Sequence, residues 1–172
     1  MKWRALGIAG VLLFTVAVGG YALQRRGILF PEMKPVQGTY DAPAGEIGKP
    51  PTSPWSQTTI GAAVDGKPLP GRVVTVVGEI IDLSCYLQVG KHGQIHRDCG
   101  QKCLRNGMPI GLLAKDGSVY TLIEEEHDPR RDSATNFREV AIENMARVMK
   151  VTGTLTRVDG HKTIYVQGYT KQ

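Results

Sequence analysis

The sequence predicts a mainly β domain of the α+β class: a small five-stranded OB-like barrel with one or two helices, behind a single N-terminal transmembrane helix. Three observations predict this fold: an uncharged apolar run near the N-terminus, β-branched segments joined by two Asp-Gly turns, and an amphipathic helix after the third strand. We expect residues 1–26 to form the anchor, 27–71 an extended tether and 72–172 the barrel domain.

The predicted anchor contains the segment Ala5–Leu23, which has no charged residue and no proline. At about 1.5 Å per residue, a helix of this length crosses a hydrocarbon core of roughly 30 Å. A cleaved signal peptide, with a small-residue site at 17–19 or 20–22, is the alternative. We expect a single pass through the inner (cytoplasmic) membrane, with the N-terminus cytoplasmic and the C-terminal domain periplasmic.

The predicted tether, residues 27–71, is rich in proline and has neither helical nor strand periodicity. Such a segment is semi-extended and lies along a partner or holds the domain away from the membrane, unless it is a disordered spacer. The net charge of +5 predicts a basic surface. We expect the anchor, tether and basic surface to contact an integral membrane protein complex and the lipid bilayer, and we expect no nucleic acid partner.

Five strand-like segments predict the barrel. The first, "RVVTVVGEIIDL", begins at Arg72 and is rich in β-branched residues. "PIGLLAK" and "SVYTLIEE" form a predicted hairpin across Asp116–Gly117, and "VMKVTGTLTRV" and "KTIYVQGYT" form another across Asp159–Gly160. Gly78 and Gly153 lie in similar contexts, "VVGEI" and "VTGTL", which are typical of strands that bend to close a barrel.

One amphipathic helix is predicted in "SATNFREVAIENMARVM", with Ser133 as its N-cap. Apolar residues recur there at spacings of three and four: Phe137, Val140, Ala141, Met145 and Val148. Five strands with a helix between the third and the fourth is the order of the OB-fold. A plain α+β sandwich of the same elements is the alternative.

The segment "CYLQVGKHGQIHRDCGQKC", residues 85–103, contains all three cysteines of the chain. A helix over "HRDCGQKCLRNG", ending near Asn106–Gly107, places His96, Cys99 and Cys103 on one face. Cys85 returns to that face through a loop with two glycines. One imidazole and three thiolates predict a closed tetrahedral zinc site, or a copper(I) site, because copper(I) favours thiolate ligands.

Other interpretations of the same segment stay open. A disulfide from Cys85 to Cys99 or Cys103 would leave one thiol spare and would clamp the loop in the same way as a metal. His92 is an alternative ligand to His96, and an exposed thiol of low pKa would indicate thiol–disulfide chemistry. Because no C-x-x-C-H and no C-x-x-C occurs, c-type haem and thioredoxin-like exchange lack their usual motifs.

The stretch from "GEIIDLSCYL" to "CGQKCLRNGMPIGLL" resembles a group of small, exported and largely uncharacterised bacterial proteins with an OB-like framework. They share a Cys-Tyr pair, a His-x₂-Cys-x₃-Cys motif and a following Gly-x-Pro-x-Gly-Leu. The resemblance covers roughly residues 73–123. It implies export and a shared role for Cys85, His96, Cys99 and Cys103, without indicating an activity or a metal.

Elsewhere the chain shows weaker candidates. "EEEHDPRRD", residues 124–132, is predicted to be a solvated loop, with a carboxylate–histidine site of Glu124, Glu126 and His127 as the alternative. Tyrosines on the predicted strands are expected to pack across strands rather than stack on bases: Tyr120, Tyr165 and Tyr169. No G-x-S-x-G, H-E-x-x-H or P-loop occurs, so we predict that the protein is not an enzyme.

These observations favour a membrane-anchored periplasmic accessory subunit, which stabilises or assembles a larger energy-transducing complex of the respiratory or photosynthetic kind. In this hypothesis the Cys/His cluster is a structural clamp. The alternative is a periplasmic protein that binds one zinc or copper ion, and the third hypothesis is a thiol–disulfide redox protein.

Overall fold

The computed structural model describes residues 33–125 and 135–169. The strands are β1 (Glu46–Ile47), β2 (Arg72–Asp82), β3 (Ile110–Ala114), β4 (Val119–Glu124), β5 (Val148–Val158) and β6 (His161–Val166). The two longest strands, β2 and β5, pair with each other. The helices are α1 (Gln57–Ala62), α2 (Leu83–Val89), α3 (Arg97–Arg105) and α4 (Phe137–Glu143), with 3₁₀ turns at Val64–Gly66 and Gln94–His96.

Strands β2 to β6 close into a five-stranded barrel. Antiparallel pairs join β5 to β2, β2 to β3 and β3 to β4, and β4 then pairs with β6 in parallel. The barrel closes because β6 also pairs with β5, from Thr154↔Tyr165 to Val158↔His161. The interior is filled by aliphatic residues of every strand and by α4, among them Ile80, Leu112, Leu122, Val151, Ile164 and Phe137. The predicted barrel with a few helices is confirmed at this level.

Both predicted hairpins are present. Asp116–Gly117 turns between β3 and β4, and Asp159–Gly160 turns between β5 and β6 with both residues at positive φ. At Gly78 and Gly153 the backbone of the neighbouring strand comes unusually close. A Cβ on Gly78 would lie 2.8 Å from the carbonyl oxygen of Leu113, and one on Gly153 would lie 2.3 Å from that of Tyr165. These glycines therefore permit the tight strand contacts that close the barrel.

The helix between the third and fourth barrel strands is shorter than the sequence predicts. Helix α4 begins after Asn136, and the predicted N-cap Ser133 lies outside the described residues. The chain leaves the helix at Asn144 because its backbone pairs with β2 instead: Ala146 N donates to Ile80 O, and Ala146 takes a positive φ of 63°. The predicted apolar set still packs in or against the core, although Met145 and Val148 lie beyond the helix.

Residues 33–71 of the predicted tether pack along the barrel of their own chain. Strand β1 pairs in parallel with β5, and Val36 N donates to Ala146 O. Further along, Trp55 packs edge-on against Tyr165 of β6, with ring centroids 5.3 Å apart. Residues 33–71 are therefore held against the barrel of their own chain.

The predicted anchor, including Ala5–Leu23, lies outside the described residues. Within residues 33–125 and 135–169, no helix is both long and apolar enough to cross a membrane.

Candidate metal centre

The candidate site lies where β2 ends and the α2–α3 segment begins. Asp82 is the last residue of β2 and the N-cap of α2, so its Oδ1 accepts from the backbone N–H groups of Ser84 and Cys85, at 3.0 and 3.4 Å. This capping fixes the carboxylate and places Cys85 in the first turn of α2. The second oxygen, Oδ2, is free to face the segment that follows.

Three ligand-type side chains meet there. Asp82, Cys85 and His96 each offer one atom within 4.8 Å of the others, and they could hold a metal ion. Asp82 is fully buried and His96 is 2% exposed. His96 reaches the site from the 3₁₀ turn Gln94–His96, whose end leads directly into α3.

The two buried polar atoms at the centre of this group lack regular partners. Oδ2 of Asp82 lies 3.7 Å from Nε2 of His96, which is too long for a hydrogen bond. Apart from the weak thiol contacts of Cys85 and Cys103 with the Asp82 carboxylate, neither atom has a hydrogen-bond partner in the described part of the chain. Buried polar atoms are nearly always paired, and leaving one unpaired costs about 1–3 kcal/mol. Asp82 and His96 are therefore candidates for binding a ligand.

Cys103 of α3 adds a second thiol. Hydrogen bonding of this thiol to the Asp82 carboxylate, helped by desolvation, raises the pKa of Cys103 to about 12. A thiol is only a weak hydrogen-bond donor. This contact therefore does not replace the stronger N–H or O–H donor that Asp82 Oδ2 lacks. Burial, followed by hydrogen bonding to Asp82, also raises the pKa of Cys85, whereas a hydrogen bond from Cys103 lowers it. In the metal-free protein both thiols are thus held protonated.

Of the four predicted residues, Cys85 and His96 lie with Asp82 in one group. The thiol of Cys103 interacts with Asp82 and Cys85, and the exposed Cys99 interacts electrostatically with Cys85 and Cys103. Helix α3 is present and ends at Arg105, with Asn106 as its C-cap, but His96 is its N-cap and precedes it. All three cysteines are free thiols, so neither of the alternative disulfides is formed in this structure.

His92, the alternative ligand, belongs to a different pair. Its Nδ1 lies 3.0 Å from Oε2 of Glu79, and Oε1 of the same carboxylate accepts from Gly93 N at 2.6 Å. Glu79 is fully buried and both of its oxygens are used. This pair fixes the loop between α2 and α3 to β2, three residues before Asp82.

Sequence reasoning missed Asp82 and Glu79 because both lie inside "GEIIDL", which was interpreted only as a strand. A usable signal was present for Asp82. An aspartate directly before "LSCYL" is an N-cap motif, and it places a carboxylate three residues before Cys85.

The other candidates are placed as follows. Glu124 is half-buried at the end of β4, and Glu126 and His127 lie outside the described residues. Glu125 is only 2% exposed, so the prediction of a solvated loop is wrong at this residue. Only Tyr120 packs across strands as expected, beneath the ammonium group of Lys162 on β6. Tyr165 packs against Trp55, which lies outside the strands, and Tyr169 lies beyond the end of β6 and packs against Phe137 of α4.

Fold and site together define a small closed β-barrel domain with a carboxylate, thiol and imidazole group that could hold a metal ion. Comparison of the chain with protein-family models, with curated proteins and with solved structures found no match.

Proposed function

We propose that this protein is a membrane-anchored periplasmic metal-binding protein, with an OB-like barrel that holds one zinc ion. Asp82, Cys85, His96 and Cys103 would be the ligands. The observation that carries the proposal is the pair of buried, unpartnered atoms, Asp82 Oδ2 and His96 Nε2, 3.7 Å apart beside Cys85. The OB-like assignment is supported by the strand order β5-β2-β3-β4-β6-β5, with α4 between the third and fourth barrel strands.

The spacing of the donor atoms suits a tetrahedral ion. Zinc bonds to nitrogen and oxygen of about 2.0–2.1 Å put two ligand atoms about 3.3 Å apart in a tetrahedron. The observed 3.7 Å between Asp82 Oδ2 and His96 Nε2 needs a contraction of a few tenths of an ångström. The metal would supply the partner that both atoms lack.

Cys103 is proposed as the fourth ligand because its thiol interacts with Asp82 and Cys85. A metal ion binds the thiolate and displaces the proton, so a raised pKa of Cys103 is compatible with a role as ligand. Cys99, being exposed, is left outside the ligand set.

The carboxylate favours zinc over copper(I). Copper(I) is selected by soft sulfur ligands, whereas Zn²⁺ accepts oxygen, nitrogen and sulfur in one site. A buried Asp82 between the thiols and the imidazole is a hard ligand that a dedicated copper(I) site would avoid.

We propose that the ion is structural. Its four ligands come from the end of β2, from α2, from the 3₁₀ turn before α3 and from α3 itself. Binding would therefore hold the whole segment between β2 and β3, which we call the excursion, against the barrel. Four protein ligands leave no open position for a substrate, as in other structural zinc sites.

The test is metal analysis of the full-length chain, purified in mild detergent under reducing conditions without added chelator. We expect one equivalent of zinc in the wild type and in Cys99→Ser, and less than about a tenth of an equivalent in Asp82→Asn and His96→Ala. A copper-loaded protein, or a metal-free protein two protons lighter than its reduced mass, would refute the zinc proposal.

A second candidate function is the accessory subunit of a respiratory or photosynthetic membrane complex. It is favoured by exposed apolar side chains on the excursion between β2 and β3: Leu87, Val89 and Ile95 are 68%, 62% and 52% exposed. The chain enters the domain beside them, because Lys34 O accepts from Gln94 N at 2.7 Å, and residues 27–32 alone separate Met33 from the predicted anchor.

Native-gel co-migration after mild-detergent extraction tests this second candidate. We expect the double variant Leu87→Asp/Val89→Asp to release the chain from a large membrane complex. Val64→Asp is the matched control, since Val64 is 84% exposed in the other 3₁₀ turn. A wild-type chain that migrates alone, or equal behaviour of the two variants, would argue against an accessory role.

A further inference from the structure

A cavity of about 330 Å³ lies between β4, β6 and the segment that contains α1. It shares no residue with the candidate metal centre. Its lining includes Trp55, Thr59, Leu69, Glu124, Glu125 and Tyr165. Its volume is at the lower end of the range for small-molecule pockets, about 300–1,000 Å³.

A buried carboxylate with one unused oxygen lines this cavity. Glu125 is 2% exposed, and its Oε1 accepts from Ser56 N at 2.9 Å and from Thr59 Oγ1 at 2.6 Å. Its Oε2 is buried and has no hydrogen-bond partner among the described residues. Ser56 is the N-cap of α1, so the start of this helix fixes the orientation of the carboxylate. A donor supplied by a ligand would complete it.

Two aromatic rings form a corner in the same cavity. The rings of Trp55 and Tyr165 are 5.3 Å apart at an interplanar angle of 68°. Trp55 is held in place because its Nε1 donates to Leu69 O at 2.9 Å. Such a corner gives an apolar chain or ring a surface to pack on, and a cation within about 6 Å of a ring face is also attracted to it, most strongly by tryptophan.

The charge of the lining points to the same kind of ligand. Glu124 and Glu125 are both acidic, and no lysine or arginine lines the cavity in the part of the chain that the structure describes. This contrasts with the net charge of +5 for the whole chain. An anionic ligand would meet two carboxylates, and a bare metal ion would leave the aromatic and aliphatic walls without a role.

From these observations we propose a second binding site, for a small organic cation that carries a primary ammonium group on an apolar chain or ring. The ammonium group would donate to Oε2 of Glu125, and the apolar part would lie against Trp55 and Tyr165. The site is independent of the metal centre, so the failure of either proposal leaves the other intact.

Binding can be measured by fluorescence of Trp55 in the full-length chain with Trp3→Phe, since the chain has two tryptophans. Benzylammonium is the probe, and benzyl alcohol and benzoate are the neutral and anionic controls. We expect saturable binding of benzylammonium with a Kd below about 1 mM, and binding at least tenfold weaker for both controls. Equal affinity for benzyl alcohol, or no saturable response to benzylammonium, would overturn the proposal.

Two variants locate the site. Glu125→Gln keeps an oxygen for Ser56 N and Thr59 and is expected to weaken benzylammonium binding at least tenfold. Tyr165→Leu keeps an apolar wall and is expected to weaken it about threefold to tenfold. Circular dichroism checks that each variant folds. If a variant does not fold, the affinities of the wild-type protein for benzylammonium and benzyl alcohol still test the proposal. Unchanged affinity in a folded Glu125→Gln protein would contradict the assignment.

Discussion

Two carboxylate–histidine pairs join β2 to the segment between α2 and α3, and they differ in one respect. In the first pair, Glu79 uses both oxygens, on His92 and on the backbone N–H of Gly93. In the second, three residues later, Asp82 uses one oxygen as a helix N-cap, and the other stands 3.7 Å from His96 without a partner.

The difference separates a structural clamp from a candidate site. A buried carboxylate with complete hydrogen bonding needs nothing more, so the Glu79–His92 pair has no vacancy for a ligand. Asp82, Cys85 and His96 could hold a metal ion, and in the proposed function that ion would bind all of them together with Cys103. Two pairs of similar residue types on neighbouring positions thus differ in their contacts, and the sequence does not show this difference.

The largest expected effect is on zinc affinity. Asp82→Asn keeps the N-cap but replaces a charged ligand by a neutral amide, so we expect zinc to bind at least a hundredfold more weakly. Glu79→Gln, the equivalent change in the complete pair, should leave the affinity within about threefold. Competition with a chromophoric chelator measures both. Equal losses in the two variants would erase the distinction between the pairs.

The next-largest expected effect is on stability, where a change at Glu79 should matter more than one at Asp82. In the metal-free protein, Glu79→Ala leaves Gly93 N–H without its buried partner and removes the bond to His92, so the free energy of unfolding should fall by about 3 kcal/mol. Asp82→Asn should lower it by less than about 1 kcal/mol, because asparagine caps helices well. Urea unfolding in the presence of a chelator gives both values. A greater loss in Asp82→Asn would show that the second pair is already complete without metal.

Thiol reactivity should distinguish the three cysteines. Cys99 is exposed, whereas the pKa of Cys103 is raised to about 12, so the thiolate fraction of Cys103 at pH 8 is very small and increases as the pH rises towards that value. We expect iodoacetamide to modify Cys99 at least tenfold faster than Cys103 in the metal-free protein at pH 8, as followed by peptide mass spectrometry. Added zinc should protect Cys85 and Cys103 and leave Cys99 reactive. If zinc protects Cys99 to the same degree, Cys99 is also a zinc ligand.

The smallest expected effect concerns Cys99 itself. Cys99→Ser should change the zinc affinity by less than about twofold and the free energy of unfolding by less than about 0.5 kcal/mol. The reason is that the Cys99 side chain is exposed and is not part of the Asp82, Cys85 and His96 group. Calorimetric titration of zinc and urea unfolding measure the two quantities. A loss as large as that of Cys85→Ser would favour the three-thiol set that helical spacing predicts.

Much of the fold follows from the sequence because its signals are local. Asp116–Gly117 and Asp159–Gly160 turn where predicted, and the two strands that each turn joins pair as expected. The end of α4 was not predictable in this way. Its apolar period continues through Met145 and Val148, but pairing of Ala146 with Ile80 of β2, a contact distant in sequence, stops the helix.

For the candidate site, the sequence shows the positions of the cysteines and histidines, and its helical spacing correctly predicts that Cys99 and Cys103 lie on one helix. The spacing could not show that Cys99 faces outward, that His92 pairs with Glu79, or that a carboxylate completes the group. Those facts depend on how the chain between β2 and β3 folds back onto the end of β2.

X-ray absorption at the zinc edge of the purified full-length protein tests the central claim most directly, since it counts sulfur and lighter ligands separately. The account predicts one zinc with two sulfur ligands at about 2.3 Å and two nitrogen or oxygen ligands at about 2.0 Å, from Cys85, Cys103, His96 and Asp82. Three sulfur ligands and one nitrogen, unchanged in Asp82→Asn, would contradict it.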